Sequence, residues 1–185
     1  ALVTGASRGI GAAIAEKLAA DGAHVIITAR SAADLEAVEQ RIFEAGGAAT
    51  IAPMDLLEGD SIYRLAAAVR ERWGRLDFLV LNAAMLGSLS PVPVLDIKEF
   101  NRVLTLNVLA QQAIIAAFDD LLRASEAPRL LALTSSVAQK PRAYWGAYGA
   151  SKAALENLVL AYADAVKNLS RLKVAIVDPG AGQPA

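Results

Sequence analysis

Three side chains in the last third of the sequence could move a proton together. Tyr148 is followed four residues later by Lys152, and Ser136 stands twelve residues before the tyrosine. A spacing of four puts Tyr148 and Lys152 on one face of a helix. An unperturbed phenol has a pKa near ~10, so about one in a thousand is ionised at neutral pH. Lowering that by about three units takes ~4 kcal/mol of preferential stabilisation of the phenolate. An ammonium group ~4 Å away, at an effective dielectric of ~20, supplies about that much. A phenol tuned in this way gives a proton to a carbonyl oxygen or takes one from an alcohol. Ser135 and Ser136 close an apolar run, which puts their hydroxyls at the end of an expected strand.

A second cluster opens the chain. Thr4-Gly5-Ala6-Ser7-Arg8-Gly9-Ile10-Gly11 follows a short apolar run and leads into an Ala-rich helical stretch. Glycines in such a turn let the backbone reverse tightly, let a pyrophosphate approach, and let the helix pack close to the strand. The helix N-terminus then offers free N–H groups and partial positive charge to phosphates. The plainer alternative is a tight strand–helix turn with no ligand, but the flanking patterns on both sides favour a dinucleotide. An NAD site usually carries an acid at the end of the second strand, for the ribose 2′-OH. Here the chain reads Thr28-Ala29-Arg30-Ser31. Arg30 and Arg8 could instead hold a 2′-phosphate through charge-assisted bonds worth ~1.5–3 kcal/mol, roughly ten- to a hundredfold in affinity. NADP(H) is therefore expected over NAD(H), against the alternative that both arginines are simply solvated.

These residues must be positioned by a regular frame. Apolar, β-branched runs at 1–4, 24–28, 49–52, 78–81, 130–134 and 174–177 read as strands. Helical periodicity fills 10–20, which ends at Asp21 and Gly22, and a segment that Ser31 opens and Gly46-Gly47 closes. It continues through 61–73, 96–123 and 147–168, the last with Leu155, Leu158, Val159, Tyr162 and Val166 at helical spacing. Strand–helix alternation of this kind predicts βαβ units with right-handed crossovers. The expected fold is α/β, a Rossmann-type doubly wound parallel sheet flanked by helices on both faces, as a single domain over 1–185. The irregular stretch 83–95 follows a strand and is expected at the carboxyl edge of the sheet, where ligands bind.

Composition narrows the rest. A length of 185 residues suits one domain. The chain is 55% hydrophobic but only 5% aromatic, as a sheet buried on both faces would require. No apolar run reaches the length of a membrane span. With 18 basic and 19 acidic residues and no basic tract, neither nucleic acid nor a membrane surface is expected as a partner. There is no cysteine, which excludes disulfides, thiolate catalysis and Cys-ligated metals, and no metal site is expected. The N-terminal residues read as a strand entering a turn rather than a secretory signal, so a cytoplasmic setting is expected.

Thr-Gly-x-x-x-Gly-x-Gly at 4–11, Asn82-Ala83-Ala84, Asn107, Ser136 and Tyr-x-x-x-Lys at 148–152 occur in the order seen in one family. Over its whole length the sequence resembles the short-chain dehydrogenase/reductase family. The resemblance implies that Tyr148 is the acid–base and that Ser136 orients the substrate oxygen. Lys152 would bind the nicotinamide ribose as well as tune Tyr148, and Asn107 would hold a water in a proton relay. Cofactor contacts would come from Gly5, Ser7, Arg8, Gly9, Ile10 and Gly11 in the turn, and from Arg30. Further contacts would come from Asp55 and Leu56 near the adenine, from Asn82, Ala83 and Ala84, and from Tyr148 and Lys152. Pro179 and Gly180 would lie beside the nicotinamide. The implied reaction passes a hydride between NADP(H) and a small-molecule carbonyl or alcohol. The apolar faces of 96–123 and 147–168 exceed what one side of a sheet needs, which reads as a subunit interface, and the resemblance implies a homodimer or homotetramer.

Some positions depart from the family or admit plainer readings. Ala84 stands where the family usually has Gly. After Gly180 the family has a Thr, a substrate lid, a helix and a last strand; residues 181–185 read Ala-Gly-Gln-Pro-Ala, so those parts are expected to be missing. His24 is expected to be structural. Asp55 could be a turn or cap residue, and Tyr144 and Trp145 could line the substrate mouth or serve in packing. A catalytically silent dinucleotide-binding regulator or scaffold is the rival function. Epimerases and dehydratases, which use the cofactor internally, usually carry a differently spaced glycine turn.

Overall fold

A computed structural model describes residues 1–180. Six strands pair in parallel: β1 (Leu2–Thr4), β2 (His24–Thr28), β3 (Ala48–Ile51), β4 (Phe78–Leu81), β5 (Arg129–Leu133) and β6 (Lys173–Val177). Their order across the sheet is β3-β2-β1-β4-β5-β6. Between them run α1 (Gly9–Ala20), α2 (Ala32–Glu44), α3 (Gly59–Trp73), α4 (Ile97–Leu104), α5 (Ala110–Arg123) and α6 (Gly146–Val166). This is the doubly wound Rossmann arrangement, and its order reverses between β1 and β4. The expected break in the family pattern at 181–185 lies outside the described residues.

Strand alternation divides the apolar side chains between two cores. Leu2, Ile26, Leu79 and Leu130 pack with Ile62 and Val69 of α3, Phe118 and Leu122 of α5, and Leu155 and Val159 of α6. Val3, Val25, Ile27 and Val80 point the other way, onto Ala12 and Ala15 of α1 and Leu35, Val38 and Ile42 of α2. Neighbouring residues on one strand thus serve opposite faces, as a period of two demands. The α1 contribution is mostly alanine, so this helix lies close against the sheet and its N-terminus sits near the end of β1.

Ends follow the local chemistry. The Ser31 hydroxyl accepts the Asp34 N–H at 3.2 Å and starts α2. Gly74 stops α3 at a φ of +69°, a left-handed conformation that glycine adopts without strain. The stretch 96–123 does not form one regular helix. A π-helical turn, Thr105–Leu109, separates α4 from α5. At its centre Asn107 is fully buried and spends its amide on groups outside the helix, which favours the bulge over a regular turn.

Candidate active site

The crevice opens where the strand order reverses. It encloses about 610 Å³, within the range of small-molecule sites, and runs from the glycine turn past the ends of β2 and β4. Gly5, Ser7, Arg8, Gly9, Ile10, Gly11, Arg30, Asp55, Leu56, Asn82, Ala83 and Ala84 all line it. Twelve residues expected to touch a dinucleotide are therefore brought to one cavity. A hollow of about 330 Å³ between α5 and α6, lined by Gln112, Ile115, Asp119 and Tyr162 among others, holds none of them.

The glycine turn is shaped by contacts that only glycine allows. Gly5 takes a φ of +64°, and a Cβ there would lie 2.9 Å from the Ala83 Cα. A Cβ on Gly11 would lie 2.3 Å from the Gly5 carbonyl oxygen and 2.5 Å from Asn82 Nδ2. Gly9 differs: its φ is +58°, yet a Cβ would meet nothing within 4 Å. The first two positions pack backbone on backbone, while the third faces open space. Such a cradle, with the N-terminus of α1 behind it, suits a pyrophosphate.

Asn82 buttresses this turn. Its Nδ2 donates to the carbonyls of Thr4 at 2.9 Å and Gly5 at 3.0 Å. Thr4 returns the support: its hydroxyl donates to the Val80 carbonyl at 3.1 Å and accepts from the N–H groups of Asn82 and Ala83. The ends of β1 and β4 are thus locked by a Thr–Asn pair. Thr4 was visible only as the opening letter of the glycine motif. Gln111, whose Nε2 donates to the Ala83 carbonyl at 3.1 Å, gave no signal in the sequence.

Arg8 and Arg30 are exposed at the mouth of the crevice. The Asp55 carboxylate accepts the Leu57 N–H at 3.0 Å, as a turn residue does, and the residue also lines the crevice. His24 lies at the amino end of β2, away from the crevice. Its ring is within hydrogen-bond reach of the Thr50 hydroxyl and packs against Trp73 at 5.1 Å.

The residues expected to move a proton sit on the turn after β5 and on α6. Ser136 begins a 3-10 turn, Ser136–Ala138, and is exposed. Gly149 lets α6 approach that turn, since a Cβ there would lie 3.0 Å from the Val137 carbonyl oxygen. Lys152 is 3% exposed, and its ammonium donates to the Leu133 carbonyl at 2.8 Å. That ammonium lies 5.6 Å from the centre of the Tyr148 ring. The Trp145 ring meets Tyr148 edge-on at 6.2 Å. These groups do not line the glycine crevice, and neither do Pro179 and Gly180, which are exposed just beyond β6.

Charge behaves differently from the simple pairing argument. Burial pushes the Tyr148 phenol up, and the Asp178 carboxylate adds to the rise. The expectation was a fall. Lys152 points its ammonium at a backbone carbonyl and the ring face, while the phenol is half-buried, so desolvation of the phenolate prevails. Burial also lowers Lys152 to about 8, partly offset by Glu156.

Asn107 links the two regions. Its Oδ1 accepts the Met85 N–H at 2.8 Å, and its Nδ2 donates to the Met85 carbonyl and to the Ser151 hydroxyl. Met85 lines the crevice, and Ser151 precedes Lys152. The side-chain amide is therefore fully engaged with protein groups. Neither Ser151 nor Met85 was singled out from the sequence, because their pairing with Asn107 depends on the tertiary fold.

Sheet order, glycine cradle and crevice together define a Rossmann-type domain suited to a dinucleotide. The chain belongs to the short-chain dehydrogenase family, whose profile matches residues 1–184. Among curated proteins it is 36% identical over 182 residues to the uncharacterized oxidoreductase YciK of Escherichia coli K12, covering 97% of this chain and 71% of that protein. A short chain dehydrogenase structure from Pseudomonas syringae superposes with a TM-score of 0.94 at 39% identity, covering 97% of this chain and 74% of the other. A metagenomic short-chain oxidoreductase, solved in complex with NADP, superposes with a TM-score of 0.91 at 37% identity, covering 98% and 82%. No helix among the described residues is long and apolar enough to cross a membrane.

Proposed function

We propose that this chain is an NADP(H)-dependent oxidoreductase that interconverts a carbonyl and an alcohol, with Tyr148 as the acid–base. The observation that carries the reading is the stacking of Tyr148 and Lys152 on one face of α6, with the Lys152 ammonium buried 5.6 Å from the phenol ring. Its position at the carboxyl edge of a sheet whose switch point holds the glycine cradle supports the same conclusion. A neighbour of the same fold at 37% identity was solved with NADP, which supports the choice of cofactor.

When bound, the nicotinamide supplies or accepts the hydride. The protein's own groups do the rest. Gly5 and Gly11 keep the turn open for the pyrophosphate, and the N–H groups of α1 face its charge. Arg8 and Arg30 would hold the 2′-phosphate, Asp55 and Leu56 would flank the adenine, and Ala83 and Ala84 would line the path toward the nicotinamide. Ala84 is exposed in the crevice, so its methyl narrows that path slightly. Ser136 donates to the substrate oxygen, and Tyr148 transfers the proton to it. Lys152 would hold the nicotinamide ribose and keeps positive charge near the phenol ring. Asn107 acts by holding Met85 and Ser151 in place. The enzyme pairs as a dimer or tetramer through α5 and α6, where the hollow lined by Ile115, Leu158 and Tyr162 lies.

The test is NADPH oxidation with a panel of ketones, aldehydes and β-ketoacyl thioesters. Tyr148→Phe abolishes turnover while NADPH binding stays nearly intact; unchanged turnover refutes the acid–base role. Arg30→Ala weakens NADPH by roughly tenfold or more and NADH little, and equal effects refute the 2′-phosphate assignment. Tight NADPH binding without turnover on any carbonyl would favour the silent-scaffold reading instead.

A further inference from the structure

Glu156 lies four residues beyond Lys152 and eight beyond Tyr148, so the three side chains share one face of α6. Its carboxylate is half-buried and reaches away from its own helix. The Thr134 hydroxyl, buried at the end of β5, donates to its Oε1. The Gln139 amide donates to its Oε2 at 3.4 Å. Thr134 and Gln139 bracket the turn that carries Ser136, one two residues before it and one three residues after it. Lys152 meanwhile binds the carbonyl of Leu133, the residue before Thr134. The last residue of β5 and the one after it are therefore tied to α6 in parallel, one by Lys152 and one by Glu156.

We propose that Glu156 is a positioning residue: it pins both ends of the Ser136 turn to the helix face that presents Tyr148 and Lys152. The inference rests on the reductase reading above. Two hydroxyls must meet one substrate oxygen, and they come from different elements, a turn and a helix. Misplacing one by ~1 Å is enough to cost about a hundredfold in rate. Gly149 sets how close the helix comes to the turn, while Glu156 fixes how the turn sits along it. A purely local role would leave the carboxylate on its own helix, whereas both of its side-chain partners lie outside that helix.

The carboxylate also favours the charged form of Lys152. The other ionisable groups on the elements packed here include Tyr148, Tyr162 and Asp164 on α6, Asp119, Asp120 and Arg123 on α5, Lys140 after the turn, and Asp178 beyond β6. Lys98, Glu99 and Arg102 lie on α4, and Arg129 and Lys173 stand at the far ends of their strands. Asp178 acts on Tyr148, and Glu99 is engaged with Ser88. Glu156 is the charge that bears on Lys152.

The experiment compares Glu156→Ala, Glu156→Gln and Thr134→Val by steady-state kinetics, pH profile, NADPH binding and melting. Glu156→Ala lowers kcat about ten- to a hundredfold, with NADPH affinity changed by no more than about twofold. Glu156→Gln keeps an acceptor for Thr134 and retains most of kcat at neutral pH, but its alkaline limb moves to lower pH. Thr134→Val lowers kcat and leaves that limb where the parent has it. If Glu156→Ala does not fold, the other two variants carry the test. Parent-like kcat in both Glu156→Ala and Thr134→Val overturns the proposal, as does a uniform loss of melting temperature with no split between kcat and the pH limb. Tyr148→Phe, run alongside, separates the levels. Turnover in that variant would sink the reductase reading, whereas a dead Tyr148→Phe beside parent-like Glu156→Ala and Thr134→Val sinks this inference alone.

Discussion

Gly11→Ala isolates packing from backbone strain at the cofactor turn. Gly11 lies in the first turn of α1 at an ordinary negative φ, so alanine should help the helix by ~1 kcal/mol. The surroundings reverse that sign. The new Cβ would sit 2.3 Å from the Gly5 carbonyl oxygen and 2.5 Å from Asn82 Nδ2. Restoring ordinary contact requires a retreat of about 1 Å. Neither neighbour can yield cheaply, because Gly5 already abuts the Ala83 backbone and Asn82 Nδ2 holds the Thr4 and Gly5 carbonyls. Overpacking of this kind costs ~1–3 kcal/mol, and each strained hydrogen bond adds about 1. Net of the helix gain, with both Asn82 bonds strained, the loss is ~2–4 kcal/mol, or ~4–16 °C in Tm for a domain of this size. NADPH binding should weaken more than tenfold, since the displaced carbonyl belongs to the cradle. Gly9→Ala is the control. It meets no atom within 4 Å and bears only the left-handed penalty of ~1 kcal/mol, about 2–4 °C, while intruding where the pyrophosphate is expected. Scanning calorimetry and NADPH titration of both variants decide the matter. A Gly11→Ala protein as stable as its parent would refute the packing argument.

Two further outcomes follow from strain and burial. Tyr144 is the non-glycine residue with positive φ, +73°, among the described residues, and it is exposed. Tyr144→Gly should therefore raise stability by up to ~1 kcal/mol, read as a higher melting temperature; a lower one would mean the side chain contributes packing that exposure conceals. Lys152 has a folded pKa of about 8, below its ordinary 10.5, so folding penalises its charged form. The penalty, ~3 kcal/mol by linkage, is present below pH 8 and is relieved as pH rises toward 10.5. Relative to Lys152→Met, the parent should thus gain stability between pH 8 and 10.5 in urea unfolding, and a constant difference across that window would contradict the shift.

Much of the frame could be read in the residues because burial on both sheet faces leaves unbroken apolar runs. The strands β2 and β4 coincide with the runs at 24–28 and 78–81, and the others shift by a residue at one or both ends. Ser31 and Gly74 marked their helix ends by chemistry that acts within a few residues. Two features escaped. The π-helical turn at Thr105–Leu109 is set by Asn107 reaching Met85, twenty-two residues away, and periodicity carries no record of such a pairing. The upward shift of Tyr148 also depends on how deeply the phenol is buried and on Asp178, thirty residues on. Spacing predicts which groups share a helix face but not which way an ammonium turns.

The glycine crevice and the trio Ser136, Tyr148 and Lys152 belong to different parts of the fold, β1 and β4 for one and the end of β5 with α6 for the other. Their relative placement must therefore be carried by something that spans the gap. Asn107 does so with one buried amide. Two of its hydrogen bonds grip the Met85 backbone at the crevice wall, and the third reaches Ser151 beside Lys152. Buried amides with every such bond made are rigid, since breaking any one strands a polar group away from water. The π-helical turn carries Asn107 at the point where α4 passes into α5 and its core around Phe118. The irregularity in the longest helical stretch thus ties the crevice wall at Met85 to the helix that carries the proposed proton donor.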